Sequence, residues 1–113
     1  MNYKEKRPWG EFENLLDVEY CKVKQIIIQP GQAPSYQYHF KREEVWVVVK
    51  GEGKLILDDV ESSVSPGSIV SVPVETRHRI RNTGDENLIF IEVQLGEYFG
   101  EDDIIRLEDD YDR

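Results

Sequence analysis

The sequence is short of the residues that build several common kinds of protein. Its 113 residues hold a single cysteine, Cys21, so no internal disulfide framework is available and the thiol reads as packing. Histidine is scarce: His39 and His78 are the only two. No apolar run approaches the ~20 residues of a membrane helix. The polar stretch at residues 1–7 lacks a secretory hydrophobic segment, so a soluble, cytoplasmic protein is expected. Positive charge is in deficit: 14 Lys and Arg stand against 23 Asp and Glu, a net charge of −9. That balance argues against nucleic acid and anionic membranes as partners. No Gly-rich phosphate loop with a basic residue is present, nor an internal repeat or low-complexity linker. The length suits one domain with a modest core.

What is present is a succession of short β-prone runs separated by turn residues. Strands are expected at residues 18–29, 44–49, 54–57, 60–64, 68–72, 77–82 and 88–95. Pro30-Gly31, Asp58-Asp59, Ser65-Pro66-Gly67 and Thr83-Gly84-Asp85 provide the turns. Ile26-Ile27-Ile28 is apolar on both faces, the mark of a strand buried between layers. Many short strands at near-regular spacing mean an all-β sandwich or barrel. Residues 1–16 read as an arm ending in an edge strand, with Trp9 pinning it to the barrel or to a second subunit. Residues 17–95 form the barrel. Residues 96–113 form an acidic tail on its outside, anchored by Ile104 and Leu107 and partly helical. Apolar residues on both faces of several strands suggest a homodimer.

The chemistry concentrates between Gly31 and Gly51 and between Gly67 and Asn82. Gln37 and His39 are two apart, so on a strand they share a face. Residues 40–43 can turn the chain, and Glu44 then opens the β-prone run Glu-Val-Trp-Val-Val-Val. Such a hairpin brings Glu44 back beside Gln37 and His39. With His78 the set offers two nitrogens and two oxygens, which suits one divalent ion such as Zn, Mn, Co, Fe or Ni. The alternative is that both histidines are ordinary surface or packing residues.

These stretches carry a resemblance. Gly31, His39, Glu44 and Gly51 fit the first motif of the cupin family, G-x5-H-x-H-x4-E-x6-G, with Gln37 in place of its first His. Gly67, Pro73, His78 and Asn82 fit the second, G-x5-P-x-G-x2-H-x3-N, with Glu75 in place of Gly. Arg7-Pro8-Trp9-Gly10, Ser35-x-Gln37-x-His39, Arg42-x-Glu44-x-Trp46, Gly100-Glu101-Asp102-Asp103-Ile104 and the ending Asp110-Tyr111-Asp112-Arg113 narrow it further. Together they resemble the C-terminal domain of type II mannose-6-phosphate isomerases, often fused behind a mannose-1-phosphate guanylyltransferase domain. That resemblance implies a single-domain cupin fold, a double-stranded β-helix or jelly-roll barrel. It implies a metal held by Gln37, His39, Glu44 and His78, and exchange of mannose 6-phosphate and fructose 6-phosphate through an enediol. The family often has histidines where this chain has Phe40, Lys41 and Val45.

Strand parity sorts the other candidates. Lys24 shares a face with Ile26 and Ile28 and can look inward, as a catalytic or phosphate-binding cation. Arg42, in the turn beside the ligands, is either a substrate-binding group at the pocket mouth or ordinary surface charge. Trp46 lies on the face of Glu44 and either walls the pocket or fills the core. Glu92 sits between apolar neighbours, so it is paired with a cation or has a raised pKa suited to proton transfer. Arg77, Arg79 and Arg81 are expected to point outward and salt the outer face, a phosphate clamp being the alternative. Two other functions fit the same residues. One is a non-catalytic metal- and sugar-binding cupin, or a regulatory partner of a separate nucleotidyltransferase. The other is a different metal-cupin reaction, such as dioxygenase or epimerase chemistry.

Overall fold

The computed structural model describes residues 3–111. Met1 and Asn2 of the expected arm, and Asp112 and Arg113 of the expected tail, lie outside the described residues. The strands are β1 (Lys4–Arg7), β2 (Gly10–Val18), β3 (Cys21–Ile28), β4 (Tyr36–His39), β5 (Arg42–Lys50), β6 (Gly53–Leu57), β7 (Val60–Val64), β8 (Ile69–Val72), β9 (His78–Asn82), β10 (Leu88–Gly96) and β11 (Ile104–Glu108). A single turn of 3-10 helix at Glu101–Asp103 precedes β11. The arm is itself a β-hairpin, with Arg7 opposite Gly10. The tail contributes a strand that pairs with β4.

The strands form two sheets, ordered β1-β2-β3-β10-β5-β8 and β11-β4-β9-β6-β7. This corrects the expected jelly-roll barrel. The fold is all-β and cupin-like, but both sheets are open, and neither curls round to close. Strands β1 and β8 end one sheet and β11 and β7 end the other, without exchanging ladder hydrogen bonds across the gaps. Short alternating strands with regular turns specify two apolar inner faces. They do not specify whether the sheet edges pair, since face-to-face packing buries the same residues.

Local sequence explains the connections. Between β6 and β7, Asp58 and Asp59 have φ of 45° and 68°. This left-handed backbone suits a two-residue hairpin turn, which Asp tolerates better than most residues. Leu57 and Val60 accordingly face each other across it. Gly96 at the end of β10 has φ of 149°, and a Cβ there would lie 2.3 Å from the Lys41 carbonyl oxygen. Only glycine lets β10 and β5 approach so closely.

The inner faces share a gradient that positions the site. Along β10 the inward residues run Leu88, Phe90, Glu92, Gln94, all buried. Along β5, read backwards, they run Val48, Trp46, Glu44, Arg42, and along β3, Ile28, Ile26, Lys24. On β9, Ile80 gives way to His78. On β3, β5 and β10 the inward face is apolar toward one end and polar toward the other, and the pairing brings the polar ends together. The apolar half, centred on Trp9, Phe12, Ile28, Val48, Leu88 and Phe90, drives folding. The polar half lines a cavity.

Candidate metal centre

The hairpin from β4 to β5 carries His39 and Glu44, and β9 delivers His78 beside them. One ligand atom from each of His39, Glu44 and His78 lies within 4.8 Å of the others. All three residues are buried. Gln37 is the cross-strand neighbour of His78. Its amide nitrogen donates to Ser35 Oγ at 3.1 Å, which leaves the amide oxygen as the end available to the cavity.

Hydrogen bonds orient the ligands. His78 Nδ1 stands 3.0 Å from the Thr76 carbonyl, which can only accept. Nδ1 therefore carries a proton, which leaves Nε2 as the nitrogen able to serve a metal. His39 Nε2 stands 3.1 Å from Arg42 Nη2, which can only donate, so this nitrogen is a lone pair. Burial, and then the Arg42 and His78 charges, push His39 down to about 4 against the opposing pull of Glu44. The imidazole is neutral at physiological pH, as a metal ligand must be. Burial alone would raise Glu44, but His78, Arg42 and His39 outweigh it and hold the carboxyl at about 2. Trp46 Nε1 donates to one Glu44 oxygen at 2.9 Å, and Arg42 Nε to the other at 3.0 Å. A neutral His39, the facing His78 and a buried carboxylate, with a guanidinium drawn against His39 Nε2 and Glu44, form a site that suits positive charge. A divalent ion supplies that charge, and the donor set fits Zn, Mn, Fe, Co or Ni without selecting among them.

The polar ends of β3 and β10 line the cavity beside this cluster. Lys24, Glu92 and Trp46 face one another in a row across β3, β10 and β5. Lys24 is buried, and its ammonium lies 4.3 Å over the Phe12 ring. Glu92 accepts a 2.7 Å hydrogen bond from Gln94 Nε2. Burial, and then the Glu44 charge, raise the Glu92 carboxyl to about 8. Trp46 is buried, stacks on Phe90 at 4.7 Å and also lines the cavity.

Sequence reasoning missed Glu101. Its carboxylate reaches in from the tail, 3.2 Å from Lys24 Nζ and 3.3 Å from Arg42 Nη1. It also missed Asp103, which accepts from the backbone N–H groups of Phe40 and Lys41 at 3.3 and 2.9 Å and so clamps the ligand hairpin. Both lie in the stretch at residues 100–104 that narrows the resemblance, but that stretch assigns them no role, and as an acidic run it reads equally well as solvated charge. Arg79 and Arg81 both pair with Asp110 of the tail, and Arg77 pairs with Asp58 and Asp59.

Fold and site together define a cupin-like metal-centre domain. The family model described as mannose-6-phosphate isomerase C-terminal matches residues 1–109, and the chain belongs to that family. Among curated proteins, it is 39% identical over 105 residues to mannose-1-phosphate guanylyltransferase 2 of Escherichia coli O157:H7, covering 93% of this chain and 22% of the relative. It is 40% identical over 107 residues to the alginate biosynthesis protein AlgA of Pseudomonas aeruginosa, covering 95% of this chain and 22% of the relative. The chain thus spans about a fifth of the length of these relatives. Among solved structures, the capsular polysaccharide assembling protein CapF of Staphylococcus aureus superposes with a TM-score of 0.85 at 24% identity, covering 96% of this chain and 33% of that one. That likeness speaks to the fold.

Proposed function

We propose that the domain interconverts mannose 6-phosphate and fructose 6-phosphate at this cavity. The observation that carries the reading is that Glu44 and His78 of the three-residue cluster line the same cavity as a buried carboxyl, Glu92, raised to about 8. Aldose–ketose exchange moves a proton between adjacent carbons through an enediol. A divalent ion held by His39, Glu44 and His78, with Gln37 as fourth donor, supplies a Lewis acid for the negative charge that grows on the sugar oxygens. Glu92 takes the proton from one carbon and returns it to the next, and a pKa near working pH suits both halves of that task. Lys24 lies beside Glu92 and favours its ionised form, and it shares with Arg42 the stabilisation of the sugar oxygens. Trp46 walls the cavity and holds Glu44 in place.

The alternative is a binding or regulatory domain without catalysis, and Phe40, Lys41 and Val45, standing where the family often has histidines, bear on it. The placement of those residues supports the enzymatic reading. Phe40 and Lys41 are exposed, and Val45 lies on the opposite face of β5 from Glu44 and Trp46. None of them lines the cavity, so their side chains leave its chemistry intact.

We also read the protein as a homodimer. Val47, Val49 and Ile69 are exposed on the outer face of the six-stranded sheet, with Val47 opposite Ile69. Apolar side chains grouped there favour contact with a second copy. Among the described residues no helix is long and apolar enough to cross a membrane. A cytoplasmic setting, and no nucleic-acid partner, suit a phosphorylated substrate and a net charge of −9.

The test is conversion of mannose 6-phosphate by protein stripped and then reloaded with single metals. Metal-dependent turnover is expected, and its loss in His39→Ala. One bound metal per chain without turnover would move the reading to a binding domain.

A further inference from the structure

We propose that Arg106, with Arg7 at the same entrance, recognises the phosphate group of a phosphorylated sugar. The identity and length of the sugar rest on the isomerase reading; the anion-binding capacity of the unpaired guanidinium at the entrance does not.

The argument begins with the charges in the cavity. Its two innermost cations are already engaged: Lys24 with Glu101, and Arg42 with Glu44 and Glu101. Arg79 is held by the Pro34 carbonyl and by Asp110. Arg106 also lines the cavity, yet it is exposed, and no carboxylate among the described residues pairs with it. Its guanidinium offers the donor fork that matches phosphate oxygens.

Strand register places it. Arg106 of β11 faces Gln37 of β4, and Gln37 faces His78 of β9, so the three form one row across the sheet. Strands lie ~4.8 Å apart, so Arg106 stands two strands, roughly 10 Å, from the His78 backbone. With C–C bonds of ~1.5 Å, an extended open-chain sugar carries a phosphorus on its sixth carbon ~8 Å from the second. A sugar reacting beside His78 and running along the row past Gln37 therefore brings its phosphate to Arg106.

Arg7 completes the entrance from the other sheet. It ends β1, lines the same cavity, and lies 5.6 Å from the Phe12 ring while pairing with Glu5. Strands β1 and β11 are the free edges of their sheets. An anion arriving between them meets a guanidinium on each side. In a chain of net charge −9, such a local positive entrance is what offsets the general repulsion of a dianion.

The test is calorimetric titration of the metal-loaded full chain with mannose 6-phosphate, mannose and inorganic phosphate. Wild type is expected to prefer mannose 6-phosphate to mannose and to bind inorganic phosphate weakly. Arg106→Gln should weaken both phosphate ligands about tenfold or more, given the strength of charge-assisted hydrogen bonds. Arg106→Lys should recover part of the loss, and Arg7→Gln should show a smaller loss. Arg77→Gln, which removes the same charge from the outer surface, should change little. In turnover, Arg106→Gln should raise KM more than it lowers kcat. Wild-type affinity for phosphate ligands in Arg106→Gln would overturn the proposal, as would a wild type that binds none of them. Arg106-dependent phosphate binding without turnover would leave this site standing and remove the isomerase reading instead.

Discussion

Glu92 is the residue whose environment departs furthest from that of a free side chain. Its carboxyl is raised from 4.5 to about 8 by burial and by the Glu44 charge. Between those values the folded chain keeps a proton that the unfolded chain releases. Stability of the metal-free protein should therefore be greatest below pH 4.5, as far as this group is concerned, and should decline as pH rises toward 8. Glu92→Gln removes that slope, which thermal melts across the range will show. Turnover moves the other way, rising as Glu92 loses its proton, and Glu92→Gln should abolish it. The His39 and Glu44 part of the cluster was legible in the sequence, because a short hairpin fixes its geometry locally, whereas His78 on β9 was legible only through the second family motif. Glu101 was not legible. It acts on Lys24 across most of the chain's length, and nothing in an acidic run says which carboxylate turns inward.

At the scale of elements, the hairpin from β4 to β5 is the part on which the site depends, and Asp103 holds it from outside. Asp103→Ala leaves the N–H groups of Phe40 and Lys41 without their acceptor. The expected cost is about 1–2 kcal/mol of stability, read by denaturant unfolding. Metal affinity should fall about tenfold or more, the usual consequence of losing an outer support of metal ligands. Unchanged affinity would mean that the hairpin is rigid without the clamp. Strands β3 and β5 to β10 were readable from β-prone runs and turn residues. Strands β1 and β11 were not, because Lys4–Arg7 is wholly charged and Ile104–Glu108 has little burial to impose a pattern. Both become strands by pairing with a neighbour rather than by their own propensity.

At the scale of the molecule, the sequence pattern specified two inner apolar faces but not what their edges do. The closed barrel that the family resemblance implied is replaced by two open sheets, and the free edges β1 and β11 both border the cavity. The exposed apolar residues on the outer face of the six-stranded sheet carry the dimer reading. Light scattering should give twice the 13.2 kDa chain mass, and Val47→Asp should return it to the monomer value while the circular dichroism stays that of a β protein. A wild-type monomer would remove the dimer and leave the site untouched, since every residue of the cavity comes from one chain.

The most direct measurement is a titration of metal-free protein with a single divalent metal, following both bound metal and mannose 6-phosphate turnover. If His39, Glu44 and His78 form the working centre, activity rises linearly and stops rising at one metal per chain, and His78→Ala shows neither tight binding nor turnover. Turnover that is full without metal, or that survives in His78→Ala, would contradict the account.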